Sequence, residues 1–123
     1  MRIALLLVVV ALAQGAYAQK EPIEVAGDYE VDIQTSAICE MCKEAIEYDL
    51  TFRKGVKGAE LNLENKVVTV KYNPKKIDAD EIRAFITKVG YHADNMKRDS
   101  VAYENLPFCC KDGSPHMEGQ SHK

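Results

Sequence analysis

The tightest constraint on the fold of this chain is the order in which its hydrophobic period changes. Tyr29, Val31 and Ile33 alternate with Glu30, Asp32 and Gln34, the period of two expected of a half-buried strand. Ala45, Ile46, Leu50 and Phe52 then follow at near-helical spacing, so a first helix is expected over 40–52, with Gly55 ending it. Ala59, Leu61 and Leu63 return to alternation. Glu64-Asn65-Lys66 reads as a tight turn, and Val68, Val70 and Tyr72 complete a hairpin that Asn73-Pro74 stops, because proline cannot donate to a ladder. The second helix is bracketed most sharply. Asp78 is its N-cap, Glu81 completes a capping box, and Ile77 and Ile82 sit at the staple positions. Ile82, Phe85, Ile86 and Val89 form its apolar stripe and Gly90 its stop. A short last strand is expected over 91–94.

That order, β-α-β-β-α-β over about 65 residues, specifies an α+β, ferredoxin-like sandwich. It is a four-stranded antiparallel sheet carrying both helices on one face. The chain of 123 residues allows one compact domain, expected over 29–95. Ahead of it, Arg2, the apolar run Ile3 to Ala13 and Ala16-Tyr17-Ala18 read as a signal peptide over 1–18, too short to span a bilayer as a helix. Residues 19–28, with Pro22 and Gly27, read as a flexible lead-in. Residues 96–123 form a C-terminal extension: a short helix around Asp99 to Leu106 stopped by Pro107, the pair Cys109-Cys110, and a Gly/Ser/Pro/His tail. The expected location is therefore outside the cytoplasm, periplasmic or secreted, with no membrane insertion after cleavage.

Chemistry concentrates where the first strand gives way to the first helix. Cys39 and Cys42 lie three apart there, so one helical turn directs both sulfurs at a common point. Unpaired N–H groups and the positive end of the helix dipole favour the thiolate, the form that binds metal. Soft thiolates select Cu(I), Hg(II) and similar ions. Lys43 is close enough in sequence to support the negative charge of a bis-thiolate.

With these markers the sequence resembles the heavy-metal-associated domain family of copper chaperones, copper-ATPase modules and periplasmic mercury-binding proteins. Cys39-Glu40-Met41-Cys42 after the first strand, Gly55-Val56 after the first helix and Gly90-Tyr91 after the second carry the resemblance, over about Tyr29 to Asp94. It implies that Cys39 and Cys42 are the metal thiolates and that Tyr91 is the aromatic bacterial members place near the site. Ser36-Ala37 stand where the family has Gly-Met, which implies a looser loop or one shaped for a different partner. The implied cargo is Cu(I), with Hg(II) or Zn(II) as alternatives. The implied partners are a metal-transporting membrane protein or another metal-binding domain.

Cys109 and Cys110 are accessory candidates: they can add sulfurs to the first pair, build a four-thiolate site that suits zinc, or pair with the first cysteines. A thiol-disulfide module is the rival reading of Cys39/Cys42, although the chain has no tryptophan and Glu-Met rather than proline between the cysteines. His116, Met117 and His122 are chemically suitable copper ligands in the tail; His92 reads as an edge residue, Met41 as solvent-facing or a partner contact, and Met96 as packing. Without Arg2 the chain carries about 15 basic against 19 acidic side chains, which argues against nucleic acid. Nothing in it assembles a nucleophilic triad or a phosphate loop, so no enzyme is expected.

Overall fold

A computed structural model of the protein describes residues 20–111; the expected signal peptide and the histidine-bearing tail lie outside them. The elements run β1 (Ile23–Val25), β2 (Asp28–Gln34), α1 (Glu40–Thr51), β3 (Val56–Asn62), β4 (Val67–Tyr72), α2 (Ala79–Val89) and α3 (Ser100–Glu104), then a single 3₁₀ turn, Phe108–Cys110. The sheet is four-stranded and antiparallel throughout, in the order β1-β2-β4-β3. Val31, Ile33, Leu61, Val68 and Val70 present one face to Ile46 and Leu50 of α1 and Ile82 and Ile86 of α2, all 2% exposed or less. The ferredoxin-like layering follows from those period-two and period-3.6 stripes, which can be buried together only against each other.

The fourth strand is not the expected one. Residues 91–94 meet the end of β2 through an isolated bridge, Thr35 to Ala93, beside bonds from Asp94 N to Gln34 O and from Gln34 N to Asp94 Oδ1, while Ala93 bridges Met96 on its other side. Asp94 has φ 51°, which ends any extended run there. The strand beside β2 comes instead from the lead-in expected to be flexible. Ala26 (φ 52°) and Gly27 (φ 85°) turn the chain with Val25 opposite Asp28. Two consecutive positive φ values make the type I′ two-residue hairpin, whose twist matches that of its strands.

The second helix forms as its flanking residues dictate. Asp78 Oδ1 accepts from Glu81 N at 2.8 Å, Ile77 and Ile82 are buried on either side of the cap, and Gly90 closes the helix in the left-handed region at φ 116°. Arg83 is 4% exposed but bonded to both Asp80 and Asp94, so its charge is matched inside the fold.

The extension turns back on the domain. Asp99 caps α3 through Ala102 N, and Asp99 N bonds to Thr87 O at the end of α2. Ala102 and Leu106 lie so close over Gly90 that a Cβ there would come within 3.2 Å of the Ala102 backbone and of Leu106 Cδ1. Gly90 is thus required twice, for its φ and for this approach.

Candidate metal centre

Cys39 is the N-cap of α1, with extended φ and ψ, and Cys42 lies in its first turn. One helical turn therefore brings the two sulfurs to 3.1 Å, with Cys42 buried and Cys39 half-buried. The loop ahead of them is tied down rather than loose. Thr35 N and Oγ1 both donate to Lys66 O in the β3–β4 turn, Thr35 Oγ1 accepts from Ala37 N, and Ser36 Oγ accepts from His92 N. Ala37 is itself fully buried.

The 3₁₀ turn after α3 brings the second pair to the same place. Adjacent residues on such a turn point about 120° apart, so only one of two can face the core. That one is Cys110, 2% exposed, with its Sγ 3.6 Å from Cys39 Sγ. The sulfurs of Cys39, Cys42 and Cys110 all lie within 4.8 Å of one another. A trigonal ion with metal–sulfur bonds of about 2.3 Å needs sulfurs about 4 Å apart. Small rotations at the two closer sulfurs meet that. Cys109 turns outward, and its thiol donates to Met41 Sδ at 3.3 Å.

Tyr91 packs beneath the cluster, 1% exposed. Its hydroxyl has no conventional hydrogen-bond partner. It faces the sulfurs of Cys42 and Cys110, which are weak acceptors as thiols. Burial, followed by these two neighbours, drives the phenol far above its ordinary value. Burial likewise pushes the Cys110 thiol well up, reinforced by the bond to Cys42, so Cys110 is protonated in the metal-free protein at neutral pH.

Lys43 behaves differently from expectation. Its ammonium bonds to Glu47 Oε2 (2.8 Å) and to Leu61 O (2.9 Å), and the Glu47 bond raises its pKa. Glu47 also accepts from Leu61 N, so this group clamps α1 to β3, and its charge is matched there rather than at the thiols. His92 Nδ1 accepts from Arg98 N, in keeping with a structural residue, and Met96 is half-buried against Ala93. What the sequence left open was which of the two trailing cysteines would join the first pair, and that Met41 would meet the other.

The heavy-metal-associated domain family matches residues 28–92, more than half of the chain. The chain belongs to that family, a metal-binding module rather than an enzyme. Among curated proteins it is similar to copper-exporting P-type ATPases of Staphylococcus aureus, 39% identical over 71 residues; these cover 55% of this chain but only 9% of the ATPase. Among solved structures it is similar to the CopZ metallochaperone (31% identity, TM-score 0.51, covering 52% of this chain and 97% of that one). It is also similar to the N-terminal domain of a potential copper-translocating P-type ATPase from Bacillus subtilis in the Cu(I)-loaded state (28%, TM-score 0.51, 54% and 84%). The matched family segment ends at residue 92, so α3 and the Cys109-Cys110 turn lie beyond it.

Proposed function

We propose that this chain is an exported carrier of Cu(I), holding the ion on Cys39, Cys42 and Cys110 and releasing or storing it by ligand exchange. The observation that carries the reading is the convergence of three sulfurs within 4.8 Å at the N-terminus of a helix. A sulfur-only donor set favours soft monovalent copper over harder ions. The relatives named above for copper support that cargo, and the apolar run ahead of Ala16-Tyr17-Ala18 supports export. No helix among the described residues is long and apolar enough to cross a membrane.

Transfer needs no redox change. A partner's thiolate adds to the bound ion, one of the three sulfurs leaves and takes up a proton, and copper remains Cu(I) throughout. The matching partner is a second cysteine-bearing metal-binding domain or a metal-transporting membrane protein. A third, buried thiolate holds the ion longer than a two-sulfur loop would, which favours sequestration with slow hand-over.

The test is an anaerobic Cu(I) titration of the reduced protein against a competing chelator, alongside Cys39→Ser/Cys42→Ser and Cys110→Ser. Tight one-to-one binding that collapses in the first variant and weakens in the second is the expected result. Binding no better than that of a small dithiol, or preferential capture of Hg(II) in direct competition, would replace the copper reading with a mercury scavenger. Turnover of a disulfide substrate without metal binding would establish redox chemistry instead.

A further inference from the structure

The sulfur atoms do not end at the three-thiol cluster. From Cys42, fully buried, the spacing to Cys39 is 3.1 Å, from Cys39 to Cys110 3.6 Å, from Cys110 to Cys109 3.9 Å and from Cys109 to Met41 Sδ 3.3 Å. Met41, at the far end, is 50% exposed, and Cys109 is intermediate. Five sulfurs thus form a continuous path from solvent to the core, each step within the span of one shared ion.

We propose that Cys109 and Met41 form a second, outer soft-metal site through which an ion passes on its way to or from Cys39, Cys42 and Cys110. The proposal rests on the soft-metal reading above and adds a site to it. A thiolate with a thioether is a donor pair suited to a monovalent soft ion. Methionine contributes no charge and has three rotatable bonds, so it can accept an ion and let it go with little rearrangement. The pair is the weaker site because it has one anionic donor against three, and weakness at the mouth is what passage requires.

The exchange balances in protons and leaves the metal's oxidation state unchanged. An incoming ion displaces the Cys109 thiol proton to water and binds Cys109 Sγ and Met41 Sδ. Cys110 then loses its proton to water and adds to the ion, and Met41 Sδ leaves. Cys39 and Cys42 lose theirs as they add, and Cys109 departs as the second of the two original bonds breaks, taking a proton back from water. The net change is three thiol protons released for one ion moved inward.

The decisive measurement is a titration of the reduced full chain with Ag(I), a redox-inert soft ion, following the methyl signals of isotope-labelled methionine by NMR. The chain has four methionines, and Met41→Leu assigns the relevant signal. In the wild type the Met41 methyl should move during the second equivalent, after the inner thiols have filled. In Cys39→Ser/Cys42→Ser it should move during the first equivalent, and adding Cys109→Ser to that variant should abolish the movement. Uptake from a Cu(I)–chelator complex should slow about tenfold in Cys109→Ser, equivalent to about 1.4 kcal/mol on the barrier. If the wild type takes its first ion tightly and the Met41 methyl stays still through two equivalents, the outer site does not exist and the carrier reading survives. If Met41 moves equally with and without Cys109, the site is not the one proposed. Failure to bind even a first ion tightly would overturn the carrier reading and the outer site together.

Discussion

Removing one oxygen from Tyr91 should stabilise the metal-free protein and weaken the metal-bound one. The Tyr91→Phe change keeps the buried ring and deletes a hydroxyl that lacks a conventional partner and faces the Cys42 and Cys110 thiols. An unsatisfied buried hydroxyl costs about 1–3 kcal/mol, and partial compensation by weak sulfur acceptors places this one near about 1 kcal/mol. Deleting it should therefore raise the melting temperature of the reduced, metal-free protein by about 5 °C, given the transition entropy of a domain this size. When metal binds, the same thiols become thiolates and the hydroxyl gains a charge-assisted bond of about 1.5 kcal/mol. The variant forgoes that bond, so its affinity should fall by the sum, about 2.5 kcal/mol or roughly sixtyfold. Thermal melts with and without Cu(I), paired with chelator competition, read both halves. A metal-free variant that melts lower than wild type would mean the thiols already satisfy the hydroxyl. An affinity unchanged within about threefold would mean that Tyr91 gives nothing to the bound state.

Three further outcomes follow from the same structure. The folded-state pKa values of Cys110 and Tyr91 are both raised, so each binds its proton more tightly folded than unfolded. Stability should be complete below the ordinary thiol value of about 8.5 and decline as pH rises above it, and urea melts of Cys110→Ser should show a shallower decline. Gly90→Ala should cost about 2 kcal/mol, because it adds a Cβ at φ 116° against the Ala102 backbone, whereas Gly27→Ala, with φ 85° and open space, should cost only the backbone part of about 1 kcal/mol; denaturant midpoints distinguish them. Asp78→Ala removes the bond to Glu81 N and should lower stability by about 1 kcal/mol without changing the Cu(I) affinity.

The parts of this fold legible in the sequence are those where local chemistry and tertiary burial agree. The alternation of β2, β3 and β4 and the bracketed stripe of α2 announce themselves because each buries one face. β1 escaped notice because three residues are too few to show a period, and Ala26-Gly27 lacks the asparagine or aspartate that usually signals this turn. Residues 91–94 carry the alternation of a strand, yet β1 already occupies the edge of β2 along Asp28 to Glu30, leaving only the far end at Thr35 to pair. The Cys39–Cys42 spacing was readable because helix geometry alone brings those sulfurs together. Which trailing cysteine would join them was not, since it depends on α3 docking over Gly90 and on the phase of one 3₁₀ turn.

Cys39 and Cys110 lie 71 positions apart in the chain. An ion bound to both is a removable cross-link that closes α1, β3, β4, α2 and α3 into one ring, with β1 and β2 outside it. The part of its affinity that Cys110 adds to the Cys39–Cys42 pair is therefore also the energy by which the ion favours the closed extension. Loaded, the stretch from Asn95 to Phe108 is a strap with one more fastening; empty, it is still held by the Asp99 N–Thr87 O and Arg98 N–His92 Nδ1 bonds and by Leu106 over Gly90. A protease, or a partner that recognises the opened strap, would read directly from the chain's shape whether it carries cargo.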